Sequence, residues 1–167
     1  MEKIFLIGRR RTGIGSIAKG LRTLGFNSNT MVLTVKEEGI EGVIKAMEKK
    51  KVCGVPFDYT MNDIRAIEAA YPSCRFILTE RNTDEWYSSF LRFYSEDESR
   101  RAYKNKGHYV NDFYIKYNES IRSHFAGKEW KILYVKYGVN SNWGSLCSFV
   151  SKPIPNKPFP HENILKK

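Results

Sequence analysis

Apolar residues follow two rhythms along this chain, short unbroken runs and longer stretches recurring every three to four residues. Lys3 to Ile7 (KIFLI) is a β-branched and aromatic run closed by Gly8, which predicts a buried strand ending in a turn. Ile14, Ile17, Ala18, Leu21 and Leu24 then recur at helical spacing, with Gly25 where a C-cap belongs. Thr30 to Val35 reads as a second strand. Gly39 to Lys50 reads as a helix with Ile40, Val43, Ile44 and Met47 inward, and Val52 to Val55 as a short third strand. Asn62 to Tyr71 predicts a helix stopped by Pro72, Arg75 to Thr79 (RFILT) a central strand, and Thr83 to about Tyr94 another helix. Glu96 to His108 is charged and poor in aliphatics, so it reads as a surface loop. Tyr109 to Phe125 is an amphipathic helix, Lys131 to Val135 (KILYV) a last strand, and Asn142 to Val150 a short helix before a proline-spaced tail.

Strands that alternate with helices predict an α/β fold of three layers, α/β/α, with a mainly parallel sheet of about five strands. Ligands in such folds sit at the carboxyl ends of the strands. The 167 residues suit one domain spanning 1–167 with one core. No apolar run approaches the ~20 residues of a membrane span. Met1 leads almost directly into a strand pattern with no room for a signal peptide, so the expectation is a soluble cytoplasmic protein. Cys53, Cys74 and Cys147 are odd in number, widely spaced and set among apolar residues, which fits reduced core thiols rather than a disulfide framework or a metal site.

Lys and Arg number 28 against 18 Asp and Glu, a net +10 that calls for an anionic partner. The basic residues cluster, with Arg9, Arg10 and Arg11 inside GRRRTGIGS, Gly8 to Ser16, and Arg100, Arg101, Lys104 and Lys106 in one polar stretch. Between a strand and a helix, two glycines separated by four residues have the spacing of a phosphate-binding loop, whose backbone N–H groups and helix N-terminus cradle an anion. Ile14 and Gly15 stand where a nucleoside triphosphatase carries Lys and Ser/Thr, which disfavours Mg²⁺-dependent hydrolysis. In RFILTERNTDEWYSSF, Arg81 lies just past a strand and Ser89 eight residues on, two helical turns later. A guanidinium fork and a hydroxyl so placed suit a second phosphate.

Together these segments resemble the sulfotransferases that use 3′-phosphoadenosine 5′-phosphosulfate (PAPS). IFLIGRRRTGIGSIAKGLRTLGF is similar to the branch whose loop reads R-T-G-T-T-S-L. YPSCRFILTERNTDEWYSS is similar to its Y-P-x-x-K-F-I-L-T-x-R-D-x-x-x-W-x-x-S, and NWGSLCSFVSKPIPNKPFPHEN to its W-x-x-L-C-x-F-L…P-x-P…F-P-x-x-N ending. The resemblance implies a P-loop-like topology, PAPS as cosubstrate, no metal, and transfer of a sulfuryl group to a hydroxyl or amine acceptor. It places the 5′-phosphosulfate on Arg11, Thr12, Gly13, Gly15 and Ser16, with Arg9, Arg10 and Ile14 completing the loop, and the 3′-phosphate on Arg81 and Ser89. The chain departs from the pattern at the paired loop threonines, which are Ile14 and Gly15. The histidine after the first helix falls near Thr30, and that of Y-x-x-H-N is Tyr117 in YIKYN.

Sulfuryl transfer needs a cation at the leaving oxygen and a base for the acceptor proton. Arg11 is the expected cation. Asp58 in VPFDY is the expected base, since in related enzymes the base sits just beyond the corresponding strand, and His108 is the second candidate. His124 and His161 read as structural or solvated, and Trp86, Trp130 and Trp143 as core packing before adenine stacking. The competing function is a catalytically weakened module of the same fold that binds PAPS, its desulfated product or another polyanion. A nucleic-acid binder lacks any basic-aromatic RNA motif or helix-turn-helix signal, and is the weaker alternative with a nucleotide kinase.

Overall fold

Neighbouring side chains along β1 (Ile4–Leu6) and β4 (Arg75–Glu80) enter opposite apolar cores, the consequence of a two-residue repeat buried on both faces. Phe5, Ile7, Phe76 and Leu78 join one core, and Ile4, Leu6 and Ile77 the other. The computed structural model describes residues 3–26, 28–29, 35–47, 52–53, 59–93 and 105–161. Every strand pairing in it is parallel, in the order β2-β3-β1-β4-β5. The ladder is carried mainly by β1, β4 and β5 (Ile132–Lys136), while β2 (Ser28–Asn29) and β3 (Val52–Cys53) add two-residue pairings.

Helices cover both faces. On one, α2 (Val35–Met47), α3 (Met61–Ala70) and α5 (Lys116–His124) bury Val43, Met47, Ile64, Ile67, Tyr117 and Ile121. On the other, α1 (Ile14–Thr23) and α6 (Trp143–Val150) bury Ile17, Leu21, Trp143 and Leu146. A third, mostly aromatic cluster joins α4 (Thr83–Phe93) to a π-helical segment, His108–Ile115, through Trp86, Tyr87, Phe90 and Tyr114. No helix among the described residues is long and apolar enough to cross a membrane.

The α/β class and its parallel pairing match the sequence pattern, and the local differences have identifiable causes. The strand expected at 30–35 falls mostly outside the described residues, but Val35 opens α2. Gly39, at φ 63° and ψ −175°, breaks that helix, so the apolar repeat from Ile40 to Met47 forms a run of its own after a first turn at 35–38. His108, expected on a loop, begins the π-helical segment, because the aromatic residues Tyr109, Phe113 and Tyr114 that follow it pack onto α4. The helix start at α3 is a capping box: Thr60 Oγ1 accepts from Asp63 N at 3.2 Å, and Asp63 Oδ2 accepts from Thr60 N at 2.7 Å. The proline-spaced tail is fastened to α6, where Trp143 Nε1 donates to the Lys157 carbonyl at 2.6 Å and Phe159 meets the Trp143 ring edge-on at 5.0 Å.

Candidate functional site

Parallel pairing puts the carboxyl ends of β1, β4 and β5 on one edge of the sheet, and from that edge spring Gly8, Arg81 and Tyr137. Tyr137 N donates to the Glu80 carbonyl at 2.8 Å, which draws the ends of β4 and β5 together. The turn after β1 is packed so closely on β4 that only glycine fits at position 8. A Cβ there would fall on Thr79 Oγ1 and lie 2.5 Å from the Thr79 carbonyl oxygen and 2.9 Å from Thr12 Oγ1. Thr12 is 1% exposed; its hydroxyl donates to the Arg9 carbonyl at 2.5 Å and lies 2.6 Å from the Thr79 hydroxyl. That hydroxyl is therefore engaged within the loop. Arg11 (φ 70°) and Gly13 (φ 97°) both take positive φ, the change of backbone hand from which anion-binding nests are built. For Arg11 this conformation costs on the order of 1–2 kcal/mol, and Arg11 Nε is tied to Ser89 Oγ at 3.2 Å with the guanidinium 5.1 Å from the Phe93 ring. Gly13 caps α1, its carbonyl accepting from the Ser16 and Ile17 amides, and the first turn of α1 carries no acidic residue. A helix start with three arginines before it and no carboxylate in it presents positive potential to an anion.

The candidate residues divide by what they touch. Arg11 and Ser89, 78 positions apart in sequence, come together, and Ser89 is buried on the inner side of α4. Arg9 turns the other way: its guanidinium lies between the Phe113 and Tyr117 rings, at 4.0 and 3.8 Å, and its Nε donates to the Phe113 carbonyl at 3.1 Å. Arg10 is held through its carbonyl, which accepts from Trp86 Nε1 at 2.9 Å. Ile14 packs in the core beneath the loop, so a threonine there would aim its hydroxyl at apolar neighbours. Gly15 is half-buried and Ser16 is buried. Arg81 Nε pairs with Glu85 Oε2 at 3.0 Å, and its guanidinium sits 4.9 Å from the Tyr137 ring.

Three aromatic residues that the sequence reading did not assign to the site join these parts. The Tyr137 ring is so close to Gly13 that a Cβ on the glycine would meet it at 2.9 Å; with Arg81 on the ring as well, Tyr137 links the loop to the end of β4. Its sequence signal was its place just past the last strand pattern, matching Arg81 after β4. Tyr114 brackets the Arg81 backbone, its hydroxyl accepting from Arg81 N and donating to Arg81 O, each at 2.7 Å. Burial pushes this phenol up to about 12, so it stays protonated and keeps donating at physiological pH. Tyr117, at the position of the family histidine, donates its hydroxyl to the Ile7 carbonyl at 2.6 Å while its ring supports Arg9.

His108 and Asp58 stand apart from this convergence. His108 Nδ1 lies 3.1 Å from Asp112 Oδ2, and its ring meets Tyr109, so its contacts fall within its own segment. Lys116 and His108 beside Asp112 hold its carboxyl below the usual value. Asp58 lies outside the described residues, as do Arg100, Arg101 and Lys104 of the basic stretch, while Lys106 is described. Trp86 and Trp143 are core residues as expected, whereas Trp130 is 65% exposed with Lys131 beside its ring. His124 pairs with Glu68 between α5 and α3, and His161 is exposed in the tail. Cys74 and Cys147 are buried free thiols, with Cys74 pushed up to about 12 by burial.

A search of curated proteins finds no match to this chain. A family model described as a sulfotransferase domain matches residues 3–104 and 93–167, which takes in the arginine loop, the Arg81 and Ser89 segment and the proline-spaced tail. With all three segments inside that match, the chain belongs to the sulfotransferase family.

Proposed function

We propose that this chain is a single-domain, P-loop-like sulfotransferase that moves a sulfuryl group from PAPS to a hydroxyl or amine acceptor. The observation that carries this reading is the meeting of two basic segments on one sheet edge: the Arg9–Arg11 loop ahead of α1, and Arg81 with Ser89, joined by the Arg11 to Ser89 hydrogen bond. A ligand bearing two separated phosphates fits such a pair, and PAPS and its desulfated product are ligands of that kind. Gly13, Gly15 and Ser16, with the backbone of Arg10, Thr12 and Ile14, would receive the 5′-phosphosulfate, while Arg81 and Ser89 would receive the 3′-phosphate. Glu85 competes with that phosphate for Arg81 and would yield as it arrives.

In the transfer step an acceptor oxygen or nitrogen forms a bond to sulfur opposite the bridging oxygen. The bond from sulfur to that oxygen breaks, and its electron pair leaves on the 5′-phosphate. Arg11, always protonated, stabilises the leaving charge, and the acceptor proton passes to a base, for which we propose Asp58 ahead of His108. A second reading, a binding module with weakened chemistry, draws on particular side chains. The Thr12 hydroxyl and Ile14 are turned inward, and Tyr117 replaces a histidine with a phenol bonded to Ile7. Incubation with sulfur-labelled PAPS and a panel of alcohols, phenols, sugars and amines separates the two. Transfer of label to an organic acceptor, lowered roughly 10²- to 10⁴-fold by Asp58→Asn at unchanged nucleotide affinity, supports the enzyme with that base. Tight donor binding with no labelled product across the panel favours the module.

A further inference from the structure

Trp86 and Tyr114 lie face to face, ring centroids 4.3 Å apart and planes within 12°. They are 0% and 2% exposed, so they are a core pair by burial. Their polar tips, however, go to the backbones of two different basic segments. The indole N–H holds the Arg10 carbonyl in the loop, and the phenol holds both the amide and the carbonyl of Arg81 at the end of β4. The stack is thus a rigid spacer, with the loop at one end and Arg81 at the other. A ligand with two charged groups at a fixed separation gains affinity when the protein holds its receptors at that separation beforehand, because less freedom is lost on binding.

We infer that the Trp86–Tyr114 stack is a positioning element that sets the distance between the loop and Arg81, and so confers selectivity for a nucleotide phosphorylated at both ends of its ribose. This rests on the two-phosphate reading above. Neither residue touches the ligand in this account; each acts through the backbone it holds.

The test compares adenosine 3′,5′-bisphosphate with adenosine 5′-monophosphate by calorimetric titration of the full chain, with thermal melts alongside. Tyr114→Phe keeps the stack and removes only the hydroxyl. It is expected to weaken the bisphosphate about tenfold, the loss of roughly one net hydrogen bond, and the monophosphate by less than about twofold. Trp86→Phe, which releases the Arg10 carbonyl at the loop end of the spacer, should weaken both nucleotides and the bisphosphate more, so that their ratio also falls. A Tyr114→Phe protein that weakens both ligands equally, or neither, overturns the inference, since a merely structural residue would not change the ratio. Should that variant lose its cooperative melt, Trp86→Phe carries the test at the other end of the stack; a reduced ratio supports the inference and an unchanged ratio overturns it. Wild-type protein that fails to prefer the bisphosphate refutes the two-phosphate reading itself, and the inference falls with it. A preserved wild-type preference that the variants do not alter refutes the inference alone.

Discussion

Gly8→Ala should destabilise this protein far more than one methyl group suggests. The added carbon meets Thr79 Oγ1, the Thr79 carbonyl oxygen at 2.5 Å and Thr12 Oγ1 at 2.9 Å. The hydroxyls can rotate, but the carbonyl belongs to β4, whose end is fixed by parallel pairing with β5 through Glu80. Relief therefore requires the loop to move off the sheet. Overpacking of this kind costs about 1–3 kcal/mol, and separating the Thr12 and Thr79 hydroxyls adds about 0.5–1.5 kcal/mol for a buried hydrogen bond. The expected total is about 1.5–4.5 kcal/mol, which for a chain of this size lowers the melting temperature by roughly 3–18 °C. Urea titration followed by circular dichroism gives the free energy directly, with an unchanged m-value showing that only stability has altered. Thr79→Ala in the Gly8→Ala background should restore part of the loss, since it removes the hydroxyl clash and leaves the carbonyl one. A loss below about 0.5 kcal/mol, within the ordinary range of surface changes, would refute the claim that the loop is wedged against β4.

Arg9→Ala should act on stability, because Arg9 is stacked between Phe113 and Tyr117 and bonded to the Phe113 carbonyl; a loss of about 1–3 kcal/mol is expected. Unchanged unfolding with a selective loss of nucleotide affinity would instead make Arg9 a ligand. Burial raises the Glu68 carboxyl, but hydrogen bonds from Lys131 and His124 outweigh that and leave it below the ordinary 4.5. A folded value below the unfolded one means that Glu68 stabilises the fold above pH 4.5 and loses that contribution as pH falls through its folded value. Glu68→Gln should cost about 1–3 kcal/mol at pH 7 and flatten the acid limb of a denaturation series; an acid limb unchanged by the substitution would contradict the assignment. Gly13→Ala should destabilise by at least about 1 kcal/mol, as φ 97° disfavours a side chain and Tyr137 blocks the space. A neutral effect in thermal melts would show that the turn relaxes freely.

The features most legible in the sequence were those set by short-range pattern. KIFLI and RFILT became β1 and β4 because a short run that is β-branched and aromatic and closed by turn residues is too short for a helix and favours a strand buried on both faces. The arginine loop was found from glycine spacing, and the meeting of Arg11 with Ser89 follows from parallel strand ends sharing one edge. What escaped was set by tertiary contact. Nothing in the order Arg9-Arg10-Arg11 says that Arg9 turns into an aromatic sandwich while Arg11 reaches Ser89, because that division depends on Phe113 and Tyr117, over a hundred positions away. The π-helical winding at His108–Ile115 shares its residue composition with an ordinary helix, so the periodicity of Tyr109 to Phe125 predicted the helical extent and missed the wider turn. Tyr114 read as one aromatic of an amphipathic helix and Tyr137 as a residue just past the last strand, and their roles appeared only with the backbone groups and glycine they meet.

Calorimetric titration with adenosine 3′,5′-bisphosphate, set against ATP with Mg²⁺, decides whether the chain carries a two-phosphate site, and it does so before any acceptor is known. The account predicts tighter binding of the bisphosphate, weakened by Arg81→Ala by about tenfold to about a hundredfold through lost charge-assisted hydrogen bonds. Tighter binding of ATP with Mg²⁺, or an Arg81→Ala protein that binds the bisphosphate as well as the wild type, would contradict it.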